Sequence, residues 1–297
     1  QANLATLAER GAQLVMPVSG RLACDDVGEG KLAPVEQIAD AVLGTLGTRV
    51  ARGADPAEPV VEADASLAGV HVLVTAGPTH EAIDPVRYIA NASSGKMGYA
   101  IAVEAARRGA EVTLVSGPTS LRCPEGVRRV DVVSAAQMHD AACAAFGEAD
   151  VAICAAAVAD YTPARPADHK LKKGREQLDV IELVQTPDIL AELSAGKLVG
   201  GRRRLVVGFA AETNDLVQNA RAKLERKGCD LIVANDVSRT DSTFGSDTNR
   251  VTLVSPKGVE ELPTLGKEEV AALLLDRVGE WYEMTGSTCA TESTCSA

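Results

Sequence analysis

The stretch GVHVLVTAGPT (residues 69–79) reads as one buried strand running into a glycine turn. Its short continuous apolar run over Val70–Thr75 is the pattern of a strand covered on both faces, since a half-solvated strand would alternate. Similar runs recur at Glu111–Ser116, Arg128–Val133, Val151–Ala156, Leu205–Phe209 and Asp230–Ala234. Between several of them lie helical patterns at Met97–Arg108, Ala135–Phe146, Asp188–Leu193 and Asp215–Lys227. Buried strands alternating with amphipathic helices predict an α/β domain: a doubly wound, Rossmann-like, mostly parallel sheet with helices on both faces. A hairpin-like pair (Arg250–Ser255, Val259–Leu262) and a helix near Lys267–Glu283 close the pattern.

Outward from this block the texture changes. Residues 1–48 carry a helix-like start (Asn3–Arg10), a short strand (Gln13–Val18), a Gly/Asp-rich loop and a second helix (Pro34–Leu46), too little to bury a core alone. Residues 49–67 are acidic, proline-containing and aperiodic, so they read as a linker. The α/β domain is expected over 68–284, and the low-complexity stretch 285–297 is expected to be a disordered tail. Gln1 is not an initiator, and the chain is expected to begin inside an element.

Composition removes several function classes. The 297 residues hold 30 Lys+Arg against 41 Asp+Glu, a formal charge of −11, with aromatics at only 3%. That acidic balance lacks the field of a DNA binder, and so few rings argue against a stacking platform for single strands. The longest apolar run, Val151–Ala159, is far short of the roughly 18–20 residues that cross a bilayer, so no membrane partner is expected. Seven cysteines form no CxxC pair and are odd in number, which points to a reducing, cytoplasmic setting without a disulfide framework.

Five stretches could carry chemistry. The turn at Gly77, after the first strand, stands where ligands bind in such sheets, although the dinucleotide fingerprint GxGxxG is absent. NASSGKMG (91–98) opens a long helix with small hydroxyl residues, but Met97 follows Lys96, so it is no Walker A loop. It reads either as an anion site of free N–H groups or as a cap and tight turn. Asn91, just before it, is placed to donate to a carbonyl. CAAAVADY (154–161) leaves room for a flat ring against bare backbone with Asp160 as polar reader; alternatively the alanines pack under a helix and Asp160 caps a turn. KLKKGR (170–175) is either a solvated face or, against an acidic background, a polyanion site. TPDIL (186–190) starts a helix, with Thr186 as cap and Pro187 first, and reads as a plain cap or a phosphate cradle. Lys223 and Lys227, at i,i+4, face one way and either reach that site or are simply solvated. The four histidines are scattered and read as incidental; no GxSxG or HExxH occurs, and no Cys/His cluster with metal-ligand spacing is expected.

In combination and order, GPTHEAIDPVRYIANASSGKMG (77–98), CAAAVADY (154–161), KLKK (170–173), TPDIL (186–190), GFAAET (208–213) and LIVANDVS (231–238) resemble the phosphopantothenoylcysteine synthetase family. The resemblance covers about Ala68 to Glu283. It implies a CTP-dependent ligase of coenzyme A biosynthesis that joins 4′-phosphopantothenate to L-cysteine through an acyl-cytidylate. Mg2+ is implied as cofactor, held mainly by the triphosphate, with no protein metal ligands assigned, and a homodimer as assembly. The resemblance assigns the nucleotide to Cys154, Ala155, Ala156, Asp160, Lys170, Pro187, Asp188, Ile189, Leu190, Phe209, Lys223 and Lys227. Substrate and intermediate fall to Gly77, Asn91, Ser93, Ser94, Gly95, Ala157, Lys172 and Lys173, with Asn91 and Lys170 catalytic and Lys170 on a flexible flap that closes over the nucleotide.

Residues 1–48 resemble the end of a flavoprotein decarboxylase domain, chiefly SGRLACDDVGEG (19–30). Cys24 stands at that family's proton-donor position, but Asp25 replaces its usual Gly and Leu32 its common Met. FMN is expected only with a complete decarboxylase half, so Cys24 is expected to be orphaned and this chain to lack decarboxylase activity. The competing readings are a dinucleotide-dependent oxidoreductase on the same fold, disfavoured by the missing fingerprint, and a non-catalytic nucleotide-binding subunit.

Overall fold

The computed structural model describes residues 14–16, 18–21, 27–31, 33–35, 37–39, 41, 64–172, 180–199, 202–237 and 248–289. The chain divides into two compact units, Gln1–Glu62 and Ala63–Ala297. In the first, Val18–Arg21 pairs antiparallel with Val27–Lys31. A hairpin thus stands where the sequence suggested a strand ending at Val18 and then a loop. One helical bond, Ile38 N–H to Pro34 O at 3.1 Å, marks the following turn. The helix expected over Asn3–Arg10, and Cys24, lie outside the described residues.

In the second unit eight strands form one sheet: β1 (His71–Ala76), β2 (Glu111–Ser116), β3 (Val127–Asp131), β4 (Val151–Cys154), β5 (Leu205–Glu212), β6 (Leu231–Asp236), β7 (Val251–Ser255) and β8 (Gly258–Glu261). Their spatial order is β8-β7-β6-β5-β4-β1-β2-β3. The six strands β1–β6 run parallel, while β7 and β8 extend the sheet antiparallel. The chain winds outward from β1 to β3 and then returns to the other side of β1 as β4. That reversal puts the topological switch point, where open α/β sheets bind ligands, between β1 and β4.

Alternate residues of each apolar strand feed opposite cores. Val72, Val74, Ile153, Val207 and Val233 pack on one face with α1 (Lys96–Arg107) and α5 (Lys267–Cys289). Leu73, Ala152, Val206 and Ile232 pack on the other with α2 (Ala135–Phe146), α3 (Ile189–Ala195) and α4 (Leu216–Lys227). This is the doubly wound, mostly parallel Rossmann-like fold expected from the continuous apolar runs. Leu73, Ile153 and Ile232 are fully buried, each contributing about 1.5–3 kcal/mol of apolar burial.

Two expected boundaries move. Residues 64–67, assigned to the linker, belong to the α/β unit: Leu67 is buried and its N–H donates to Arg108 O at 3.0 Å. The last helix continues to Cys289, into the stretch expected to be a disordered tail. Adding residues to a helix already nucleated over many turns costs far less than starting one, so weak helix formers such as Thr285 and Ser287 are carried along.

Candidate active site at the switch point

The carboxyl ends of β1 and β4 continue as a paired wall. Ala155 N–H donates to Thr75 O (3.1 Å) and Ala157 N–H to Gly77 O (2.9 Å). The threonine hydroxyls continue the pairing, Thr75 Oγ1 accepting from Ala156 N–H and Thr79 Oγ1 from Ala159 N–H. The alanine run is therefore bare backbone held flat by β1. Its amides are engaged inside the fold, so a ring lying on it meets carbonyl oxygens and methyl groups. Asn91 Nδ2 donates to Val158 O at 2.8 Å, the carbonyl partner its position suggested.

Gly77 does not line the cleft. Its φ of 78° makes the turn, and a Cβ there would press on Gly117 O at 3.1 Å. In this structure the residue serves the turn and stands outside the lining. Facing it, Ser93 Oγ accepts from Gly95 N–H, and Thr119 Oγ1 donates to Ser94 O. Gly95, at φ 76°, caps α1 with no side chain on the helix amides, leaving the first turn's N–H groups directed outward. Gly98 lets α1 sit this close, since a Cβ would lie 2.5 Å from that of Ala76.

The opposite wall comes from β5, α3 and α4. Asp188, not Thr186, caps α3, accepting from Ala191 N–H at 3.1 Å. The helix therefore starts at Ile189, and Pro187 precedes its cap. Thr186 donates instead to Ala159 O (2.6 Å), tying this wall to the alanine run. Lys227 pairs with the Asp188 carboxylate, and Lys223 Nζ donates to Phe209 O at 2.8 Å. Burial alone would raise the Asp188 carboxyl, but Lys227 and the Ala191 amide hold it below its ordinary range. Burial, with Lys227 beside it, lowers the Lys223 ammonium. Burial also pushes the Cys154 thiol up to about 12, so it stands in the wall as a protonated thiol and not a nucleophile.

These walls enclose a cleft of about 1230 Å³. Asn91, Ser93, Ser94, Gly95, Cys154–Ala157, Asp160, Pro187–Leu190, Phe209, Lys223 and Lys227 all line it, bringing four separate sequence motifs to one place. The sequence reading missed Arg226, Asn219 and Lys267, which also line it. For the first two the signal was present: Asn219, Lys223, Arg226 and Lys227 fall on one face at helical spacing. Lys267 opens α5, brought in from beyond the last strand pair, and had no local signal. Five basic side chains (Lys96, Lys223, Arg226, Lys227, Lys267) face three acidic ones (Asp160, Asp188, Glu212). In a chain of charge −11, this local excess suits an anion.

The basic loop is not in that lining. The resemblance puts Lys170 on a flap that closes over bound nucleotide; here Lys170 and Lys172 are exposed and outside the cleft lining. Leu171 explains it: its N–H donates to Asp84 and its carbonyl accepts from Arg87 (3.2 and 3.0 Å). The Arg87 guanidinium holds the buried Asp84 carboxyl well below the usual carboxylate range, so the anchor is ionised at neutral pH. Lys173 lies outside the described residues. Among the described residues no helix is long and apolar enough to cross a membrane.

Comparison with known proteins bears on this cleft. Residues 67–282 match the family model described as the DNA/pantothenate metabolism flavoprotein C-terminal domain. The chain is 45% identical over 279 residues to the coenzyme A biosynthesis bifunctional protein CoaBC of Vibrio vulnificus, covering 94% of this chain and 65% of that protein. It is also 45% identical over 285 residues to CoaBC of Escherichia coli, covering 95% and 66%. The chain thus spans about two thirds of the length of these relatives, a little under in both. A crystal structure of the C-terminal domain of a CoaBC is 44% identical, with a TM-score of 0.62, covering 74% of this chain and 98% of that one.

Proposed function

The chain belongs to the family of the DNA/pantothenate metabolism flavoprotein C-terminal domain, and on that premise we propose that it is a phosphopantothenate–cysteine ligase using CTP in coenzyme A biosynthesis. The observation that carries the reading is the cleft itself: a flat alanine wall for a ring, a helix start capped by glycine with no side chain on its amides, and a concentrated set of cations meet at one switch point.

In the first step the 4′-phosphopantothenate carboxylate attacks the α-phosphorus of CTP, forming the acyl–phosphate bond as pyrophosphate leaves. In the second, the L-cysteine amine attacks the activated carbonyl and CMP departs with the bonding pair. Neither step needs a protein nucleophile; positioning and charge stabilisation supply the rate. Lys223, Arg226 and Lys227 face charge building on the leaving pyrophosphate, and Cys154–Ala156 with Asp160 receive the cytosine. Asn91, oriented by Val158 O, and Ala157 hold the acyl-cytidylate, while Ser93, Ser94 and Gly95 line its phosphate side. Lys170 acts from its loop once nucleotide is bound, with Lys172 and Lys173 beside it.

With Asp160 given to the cytosine and Asp188 paired to Lys227, Glu212 is the cleft carboxylate whose hard oxygen donors would fit Mg2+, and Asn219 orients it. Bound Mg2+ would supply neutralisation of triphosphate charge, taking most of its ligands from phosphate oxygens and water. A homodimer in the cytoplasm is the assembly and setting this reading carries; sedimentation tests the former.

A coupled pyrophosphate-release assay with phosphopantothenate and cysteine decides the reaction. CTP-stimulated release exceeding that with ATP is expected, and no release from folded protein overturns the proposal. Asn91→Asp should let the acyl-cytidylate accumulate, and Lys170→Gln should slow its formation. Normal turnover in both would remove those assignments. Tight NADPH binding without ligase activity would favour the oxidoreductase reading.

A further inference from the structure

A second cluster stands outside the cleft, on the solvent side of α2 and α3. His139 and Cys143 lie one turn apart on α2, and Glu192 reaches them from α3. His139 Nε2 is 2.7 Å from Glu192 Oε2 and 3.6 Å from Cys143 Sγ. One ring nitrogen therefore faces a carboxylate and a thiol at once, and the three donor atoms lie within 4.8 Å of one another. A single Nε2 bonded to the carboxylate at 2.7 Å and to the sulfur at 3.6 Å cannot serve both partners with good hydrogen-bond geometry.

Metal geometry accounts for both. With Zn–S near 2.3 Å and Zn–N near 2.0–2.1 Å, two ligands at a tetrahedral centre stand about 3.5 Å apart. The sulfur–nitrogen separation already has that value. An N–O ligand pair would stand at about 3.3 Å, so the exposed Glu192 side chain has to swing off its hydrogen bond to His139 and toward the Cys143 sulfur to complete the set. The other ring nitrogen, Nδ1, is 3.0 Å from Asp140 Oδ1. That is the carboxylate–histidine arrangement that fixes a ligand ring's tautomer and aims its Nε2 at an ion. Glu192 is more than half exposed, which supplies an entry path.

We propose that His139, Cys143 and Glu192 bind a borderline-soft divalent cation of the zinc class, with Asp140 orienting the histidine and a fourth position open to solvent. Occupancy ties α2 to α3, whose first residues Ile189 and Leu190 line the cleft. The site is independent of the ligase reading.

Titration of the full chain with Co2+ tests it, because thiolate coordination gives a near-ultraviolet charge-transfer band that oxygen-only binding does not. One equivalent with that band is expected, together with a rise in melting temperature on adding Zn2+. Cys143→Ser should abolish the band, Glu192→Gln should weaken affinity at least tenfold, and Cys123→Ser should change neither. No band, or a band that persists in Cys143→Ser, overturns the site. Unchanged affinity in the exposed Glu192→Gln variant overturns the three-ligand set even if Cys143→Ser folds poorly.

Discussion

The chain carries two groups of lysines that charge reasoning treats alike: Lys223 and Lys227 on α4, and Lys170 and Lys172 on the loop before residue 173. Their fates differ. The α4 pair lines the cleft, each lysine with a partner in its wall, Phe209 O for one and Asp188 for the other. The loop pair is exposed and outside the lining, its backbone held away by Asp84 and Arg87. A helix converts spacing into direction, so i,i+4 places both α4 lysines on one face. A loop has no such rule, and its long-range tether decides where its charges go.

The largest test of this contrast is Lys223→Gln. Removing a preorganised donor aimed at developing charge costs about 10²–10³-fold in rate, so pyrophosphate release should fall by that order. Because burial lowers the Lys223 ammonium, wild-type nucleotide affinity should decline at an alkaline pH below the ordinary lysine range. That limb should vanish in the variant. A loss of less than threefold, with a larger loss in Lys170→Gln, would reverse the ranking of the two groups.

Asp188→Ala comes next. It removes the cap of α3 and the partner of Lys227, costing about 1 kcal/mol, or roughly 2–4 °C in a domain of this size. An unchanged thermal melt would show that α3 starts without it.

The loop anchor predicts a smaller effect, confined to acid. The Asp84 carboxyl is lowered in the folded chain, chiefly by Arg87. Its stabilisation is therefore fully present above the unfolded value of about 3.9 and is lost as pH falls through the depressed folded value. The stability gap between wild type and Asp84→Asn should be constant near neutrality and close only well below pH ~4. A gap that closes between neutrality and that point would contradict the buried pair.

Smallest is Lys170→Gln on stability. An exposed side chain away from caps and core should shift unfolding within about 0.5 kcal/mol. A larger shift would mean that Lys170 is held in the folded state.

Much of this was legible along the chain. Residues 72–74 had to be a two-faced strand, because no pleated surface with one wet face tolerates three consecutive buried aliphatics. Asn91 could be read as a donor to a carbonyl, and Val158 O, distant in sequence, is the one it meets. The cap of α3 was misread because Thr186, Pro187 and Asp188 are all plausible helix starters locally, and only the ties from Thr186 to Ala159 and from Lys227 to Asp188 choose among them. Lys267 was invisible for a simpler reason: nothing within its own segment refers to a cleft formed some 170 residues earlier in the chain, around residues 91–98.

Local pattern by itself determined the doubly wound sheet, the candidate motifs and the lysine face of α4, because hydrophobic period and helical spacing are properties of neighbouring residues. Only the tertiary structure decided that Gly77 makes a tight turn against Gly117, that the alanine amides are engaged by β1 and the turn after it, and that Leu171 ties the basic loop to Asp84 and Arg87. Each of those outcomes rests on a hydrogen bond or steric contact between residues far apart in sequence, which periodicity cannot encode.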